Sequence, residues 1–243
     1  MKIKKKFNSN FIIENIILAT IFPVCSRNDP QLSDCIVQAV KALQPKLITG
    51  DLGDGFKIPR LDPFYIPQIT YGVENVIKTR LTHVYLKGLS NFNIDKLQVD
   101  INQLRFDMYL SFPRLDLSAN YQMIFALFGS PLFSEGQIYE TLTNVKVRVA
   151  FKAKIQLINK AQHLNFDPFY FKILQNTVTF INFTNLFPNT IFIRPIVHNY
   201  LVNNIGYVTQ TIYPDFERSL SETFTKIANE LAIGASFDEL FPL

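Results

Sequence analysis

The chain has 243 residues, 48% of them hydrophobic, with 23 Phe, 10 Tyr and no Trp. That length allows one large domain or two small ones, and the hydrophobic share is that of a globular protein able to bury a sizeable core. The formal net charge is +4, but residues 1–20 hold four lysines and Glu14; without them it falls to about +1, which leaves no electrostatic footprint for nucleic acid.

The basic run Lys2, Lys4, Lys5 and Lys6 followed by the short apolar stretch Phe11 to Ala19, interrupted by Glu14 and Asn15, has the layout of a secretory signal. A basic tail for nucleic acid or lipid headgroups is the other reading. The run is too short to cross a membrane, and no other segment approaches ~20 apolar residues. A signal over 1–20 and one domain over 21–243 is the expected division. Cys25 and Cys35 are the only cysteines. In an exported protein such an isolated pair is most simply a disulfide, closing a loop that stabilises by about 2.5–3 kcal/mol. Two free thiols in a cytosolic protein is the alternative. The spacing fits neither a redox Cys-x-x-Cys nor a zinc knuckle.

Asp29 and Pro30 read as a cap and first turn, with a helix through Leu32, Ile36, Ala39, Val40 and Leu43 that Pro45 and Gly50 should end. The Gly50–Gly55 loop lacks G-x-G-x-x-G spacing and a preceding strand, so it reads as an ordinary turn. From Leu61 to Phe183 the pattern is strand after strand. Val145 to Leu157 is apolar at every odd position, giving one buried and one wet face. Leu115 to Leu127 and Leu104 to Phe112 repeat the alternation. Leu97, Val99 and Ile101 have the opposite parity to the strand that follows, so a turn or bulge is expected near Asn102-Gln103.

From about Asn189 onwards the period changes. Ile193, Val197, Tyr200, Leu201, Val208, Ile212, Phe216, Leu220, Phe224, Ile227 and Leu231 recur at steps of three and four, which is one helical face. Pro214 removes one hydrogen bond and crowds the carbonyl of Gln210, predicting a kink or a break there. Long amphipathic antiparallel strands need an apolar object on one face, and the terminal helix, helped by the first, is the only one available. The expectation is a single α+β domain, a strongly curved sheet wrapped around a long C-terminal helix. So much Phe reads first as core and second as a Phe-lined cavity.

Catalytic and metal signatures are missing. His83, His163 and His198 are not at ligand spacing from one another, and Asp51, Asp54 and Asp62 follow no cation-binding pattern. There is no G-x-S-x-G, H-E-x-x-H or P-loop, so neither an enzyme nor a cofactor is expected. Asn182-Phe183-Thr184 is an N-glycosylation sequon or a chance match within a strand.

Several blocks resemble the takeout/juvenile-hormone-binding protein family of insects. They are Cys25-Ser26-Arg27-Asn28-Asp29-Pro30 with Leu32 and Cys35-Ile36, then Leu61-Asp62-Pro63, Phe112-Pro113 with Tyr121, and Pro131 with Gly136. Asn185-Leu186-Phe187, Asn199 with Leu201-Asn203, and Leu240-Phe241-Pro242 complete the match, which runs from Cys25 to the end. Phe125 and Ser134 stand where family members usually carry Gly. The second disulfide usual in the hormone-binding subgroup has no cysteines here, which places the chain nearer the takeout-like branch. The resemblance implies an elongated fold enclosing a hydrophobic tunnel, and a secreted, monomeric, non-catalytic carrier of a small lipophilic molecule, without nucleic acid or stable membrane insertion. A dry cavity of that kind needs apolar walls with few polar groups. Strand residues Phe106, Phe112, Tyr121, Met123, Phe125, Val149 and Phe151, with Tyr200, Phe216 and Phe224 of the helix, are the candidate lining. An extracellular protein-interaction module that keeps the fold without a specific ligand is the alternative, and lipid transfer at a membrane surface a weaker third.

Overall fold

The structure, a computed structural model, describes residues 23–53, 56–73, 76–127, 130–188 and 192–243. The expected signal segment, Asp54 and Asn189 lie outside the described residues, as do the side chains of Leu201 and Val208. In chain order the elements are α1 (Leu32–Thr49), β1 (Asp51–Gly53), β2 (Phe56–Lys57), β3 (Phe64–Val73), β4 (Ile77–Lys87) and β5 (Asn93–Asp100). After them come β6 (Arg105–Leu127), β7 (Ser130–Ile158), β8 (Ala161–Phe166), β9 (Tyr170–Phe183), α2 (Ile193–Asn203), α3 (Ile205–Ala232) and α4 (Phe237–Leu240). The architecture is α+β, a strongly curved antiparallel half-barrel with the C-terminal helix in its hollow.

The sheet is built on one long hairpin, β6 with β7, in unbroken register from Arg105↔Lys152 to Leu127↔Ser130. β4 flanks the distal half of β6 and carries β3 on its far side; β5 flanks the proximal half. Along the other edge of β7 run β9 and then β8. The buried face changes midway. Proximally, Phe106 and Phe112 are buried with Val145, Val147 and Val149; distally, Leu115, Leu117, Ala119, Tyr121, Met123 and Phe125 are buried with Ile138. Even positions of β6 thus give way to odd ones with no residue inserted. The change falls at Pro113 and its neighbour across the hairpin, Asn144, whose φ of 52 is left-handed. A left-handed residue inside a strand turns the side chains that follow out of phase, so the hairpin presents opposite faces to its two cores. The wet end of β7 also comes early, with Ile155 and Leu157 exposed.

Neither internal proline breaks its helix. α1 continues through Pro45 and ends at Gly50, where φ is 77 and a Cβ would lie 2.2 Å from the carbonyl oxygen of Ile58. α3 continues through Pro214, which is exposed together with Gln210, so water can serve the carbonyl that the proline leaves free. The break in the terminal helix falls instead at Asn204, whose backbone N–H and side-chain amide both donate to the Tyr200 carbonyl, at 3.0 and 2.8 Å. The turn expected near Asn102 is present, closed by Leu104 at φ 51.

Paired motifs at the two ends of the chain meet. Cys25 and Cys35 form a disulfide. Beside it Arg27 donates from its backbone to Pro242 O (2.8 Å) and from Nε to Phe241 O (2.6 Å), pairs with Asp238, and lies over the Phe237 ring. The Leu61-Asp62-Pro63 motif is equally local in purpose. The Asp62 carboxylate accepts from Gly88 N and Ser90 Oγ, both at 3.0 Å, tying the start of β3 to the turn after β4.

Candidate functional site

The candidate site is the space between α3 and the floor of the half-barrel. α3 spans the hollow by resting on its two rims, β3 on one side and β8/β9 on the other. Its apolar stripe, Ile212, Phe216, Leu220, Phe224 and Ile227, turns inward onto the main core. These side chains stay half-buried, whereas the floor beneath them (Leu117, Tyr121, Met123, Ile138) is buried. A helix held at the rims covers its inner face less completely than one pressed into the floor.

The two rims hold the helix by different chemistry. On β8/β9, a second stripe of α3 at four-residue spacing supplies hydrogen bonds to an open sheet edge. Tyr213 meets Asn176, Glu217 Oε1 accepts from Ile173 N (2.8 Å), Ser221 donates to Phe169 O, and Thr225 Oγ1 accepts from Phe169 N (2.9 Å). Asn229 both accepts from Phe166 N (2.7 Å) and donates to Phe166 O (3.1 Å). One turn on, buried His163 meets Ala232 O at 3.1 Å. Unpaired edge groups are a liability, and this rail satisfies them. On β3 the contacts are rings: Phe224 stacks on Phe64 at 5.3 Å and Phe216 meets Tyr71 at 6.1 Å. Sequence reading followed the apolar stripe and missed the rail, although Tyr213, Glu217, Ser221, Thr225 and Asn229 recur at helical spacing.

The ten candidate lining residues divide into two groups. Tyr121, Met123, Phe125, Tyr200, Phe216 and Phe224 belong to the distal core with β3, β4 and α2. Phe112, Val149 and Phe151 belong to the proximal core. There much of the Phe enrichment is consumed by packing: Phe106, Phe151, Phe169, Phe171 and Phe224 follow one another at ring separations of 4.6–6.4 Å. In the distal group Tyr200, Phe216 and Phe224 are half-buried, as Phe151, Phe169 and Phe171 are in the proximal run.

Phe125 and Ser134 both have partners. The Phe125 ring meets Phe187 and Tyr200 edge-on at 6.3 and 5.9 Å, filling the space between sheet and α2. Ser134 Oγ lies 3.0 Å from the Tyr121 hydroxyl, accepts from Phe187 N (3.0 Å) and donates to Asn185 O (3.3 Å). Gly136 is required by close approach: a Cβ there would sit 2.3 Å from Thr184 O. Burial raises the Tyr121 phenol above its ordinary value, which Ser134 partly offsets.

One polar group inside the fold was not foreseen. Glu140, on β7, lies on the inner face between Leu117 of β6 and Ile181 of β9. Loss of water pushes its carboxyl up to about 7. A groove of about 910 Å³ opens beside the distal core, lined by Gln68, Lys78, Arg80 and Glu135 together with Met123, Leu132, Phe133 and Phe187. Asn182 is exposed on β9; His83 and His198 are exposed as well. Among the described residues there is no cluster of His, Cys, Asp or Glu able to hold a metal ion, and no helix long and apolar enough to cross a membrane.

A long helix cradled by a strongly curved antiparallel sheet defines the class of fold. Within that class, the sequence matches the haemolymph juvenile hormone binding protein (JHBP) family over residues 10–242, and the chain belongs to that family. The crystal structure of Takeout 1 from Epiphyas postvittana superposes with a TM-score of 0.73 at 16% identity, covering 91% of this chain and 100% of that one. A lipopolysaccharide binding protein matches at a TM-score of 0.37 and 9% identity, over 82% of this chain and 37% of the other. None of the curated protein sequences matches this chain.

Proposed function

We propose that this protein is a secreted carrier of a small hydrophobic ligand, a terpenoid, fatty acid or related lipid, held in a tunnel between α3 and the sheet. The carrying observation is the rim-supported helix, whose apolar stripe faces the floor yet keeps surface uncovered. Membership of a binding-protein family points the same way. Burying a terpenoid-sized tail yields on the order of 10 kcal/mol gross, and association consumes at least ~4 kcal/mol. The remaining ~6 kcal/mol corresponds to a Kd of some tens of micromolar without any ion pair. The half-buried Tyr200, Phe216 and Phe224, with Tyr121, Met123 and Phe125 beneath, are the residues that would line the ligand; the Phe106–Phe151 end is packed against itself and would close the tunnel. Secretion agrees with the Cys25–Cys35 disulfide.

The test is organic extraction of protein purified natively from the medium of cells secreting it, followed by lipid identification and native mass spectrometry. A bound lipid at near one per chain is expected. An empty protein that also binds no apolar fluorescent probe would leave the interaction-module reading in its place.

A further inference from the structure

One cross-sheet row of the floor runs Phe64, Leu86, Leu117, Glu140, Ile181, from β3 through β4, β6 and β7 to β9. Its four apolar members belong to, or pack against, the main core. The fifth is a carboxylate. Glu140 is half-buried among these apolar neighbours, and the loss of water raises its proton affinity. Among the described residues no hydrogen bond or ion pair reaches it. An isolated carboxylate in apolar surroundings is strongly unfavourable, and a leucine would complete the row.

The surroundings offer Glu140 little relief. Burial is the one cause of its raised proton affinity; no cation from any packed element contributes. Tyr71 on β3 is the titratable group that feels its charge, and that charge adds to burial in holding the phenol protonated. Thr79, opposite Tyr71 on β4, offers its hydroxyl to that phenol and partly offsets the rise. Leu117 and Ile181 flank Glu140 directly. The Glu140 carboxylate is therefore hydrogen-bonding capacity that the fold itself does not use.

Resting on the carrier reading, we infer that Glu140 is the polar anchor of the interior, accepting a hydrogen bond from the hydroxyl or amine head of a ligand whose apolar body lies along the floor. An ionised carboxylate only accepts, so it selects a head that donates, and an ammonium adds charge to the bond. A fatty-acid anion would bring a second negative charge into the same low-dielectric space and is disfavoured.

The experiment titrates the full chain at pH 8 with 1-dodecanol, dodecylamine, dodecanoate and methyl dodecanoate, each read as displacement of N-phenyl-1-naphthylamine. The wild type should hold the alcohol and the amine about tenfold more tightly than dodecanoate. Both E140Q and E140L should lose that preference while retaining methyl dodecanoate, and the amine's advantage should shrink as pH falls through 7. The same order of affinities in wild type and both variants overturns the anchor but leaves the carrier standing. Failure of the wild type to bind the reporter or any of the four probes overturns both. Thermal unfolding of E140Q and E140L, expected at or above the wild-type temperature at pH 8, verifies that lost preference is not lost fold.

Discussion

The two rims that carry α3 differ in the kind of order they impose. Along β8 and β9 the helix is fixed by directional bonds from Glu217, Thr225 and Asn229 to named backbone groups. A shift of one residue along the edge would break them together, so this rim sets the register of the helix. Along β3 the helix rests on rings at Phe64 and Tyr71. Apolar contact is non-directional and accepts small displacements. The β3 rim can therefore lend the helix movement, while the β8/β9 rim holds it. A carrier that must admit an apolar molecule needs one such yielding side.

The largest effect expected of a single change tests the yielding rim. Phe64 is 1% exposed beneath Phe224. Phe64→Ala should cost about 3–5 kcal/mol in chemical denaturation, whereas Phe64→Leu should cost under about 1.5 kcal/mol. A Phe64→Leu as damaging as Phe64→Ala would show that this rim, too, depends on specific geometry. Next is Glu140, on the floor between the rims. Its carboxyl sits near 7 in the fold against an ordinary 4.5, so the folded state holds the proton more tightly than the unfolded one. Stability without ligand should accordingly fall as pH rises from about 4.5 through 7, by on the order of 3 kcal/mol. E140Q should flatten that slope without altering the hydrogen bonds of either rim, as urea unfolding across pH would show.

Much of this fold was legible because alternation and helical period are local properties. Val145 to Ala153 and Leu115 to Phe125 declared strands with one buried face, and Ile212 to Ile227 declared the helix that covers them. The change of face shows in the sequence as a shift from even apolar positions up to Phe112 to odd ones from Leu115, but only pairing across the hairpin shows that Pro113 and Asn144 absorb it with no residue inserted. Pro45 and Pro214 misled because local rules penalise them where the structure leaves the affected carbonyl to water or to the helix end. Of the ten apolar candidates six are buried and Phe151, Tyr200, Phe216 and Phe224 are half-buried, and composition could not divide the stacked Phe106–Phe169 run from the distal group. Glu140 gave no signal at all, standing in Tyr139-Glu140-Thr141, where the alternation lapses. The helix rail carried a signal, its spacing, that reading for apolar residues alone passes over.

The smaller predictions concern the holding rim. Asn229→Ala strips the Phe166 N–H and carbonyl of their partner at once and should cost about 2 kcal/mol. Hydrogen exchange should speed at Phe166, Phe169 and Ile173 while β3 amides stay unchanged; equal acceleration at both rims would deny that they are independent. Lys172→Ala should be nearly silent, at most about 0.5 kcal/mol, although Lys172 lies 3.4 Å from Glu217. The reason separates two roles of one carboxylate. Toward Lys172 it makes a long ion pair with an exposed side chain, screened by water and salt. Toward Ile173 N it makes a 2.8 Å hydrogen bond to an edge amide of a partly buried strand, which no solvent molecule replaces without opening the rim. Glu217→Gln keeps an acceptor for that amide and discards only the charge, so it should behave like Lys172→Ala, whereas Glu217→Ala should behave like Asn229→Ala at about half the cost. If Glu217→Gln instead proves as harmful as Glu217→Ala, the rail is electrostatic and not a matter of edge pairing, and the contrast between the rims must be redrawn on charge.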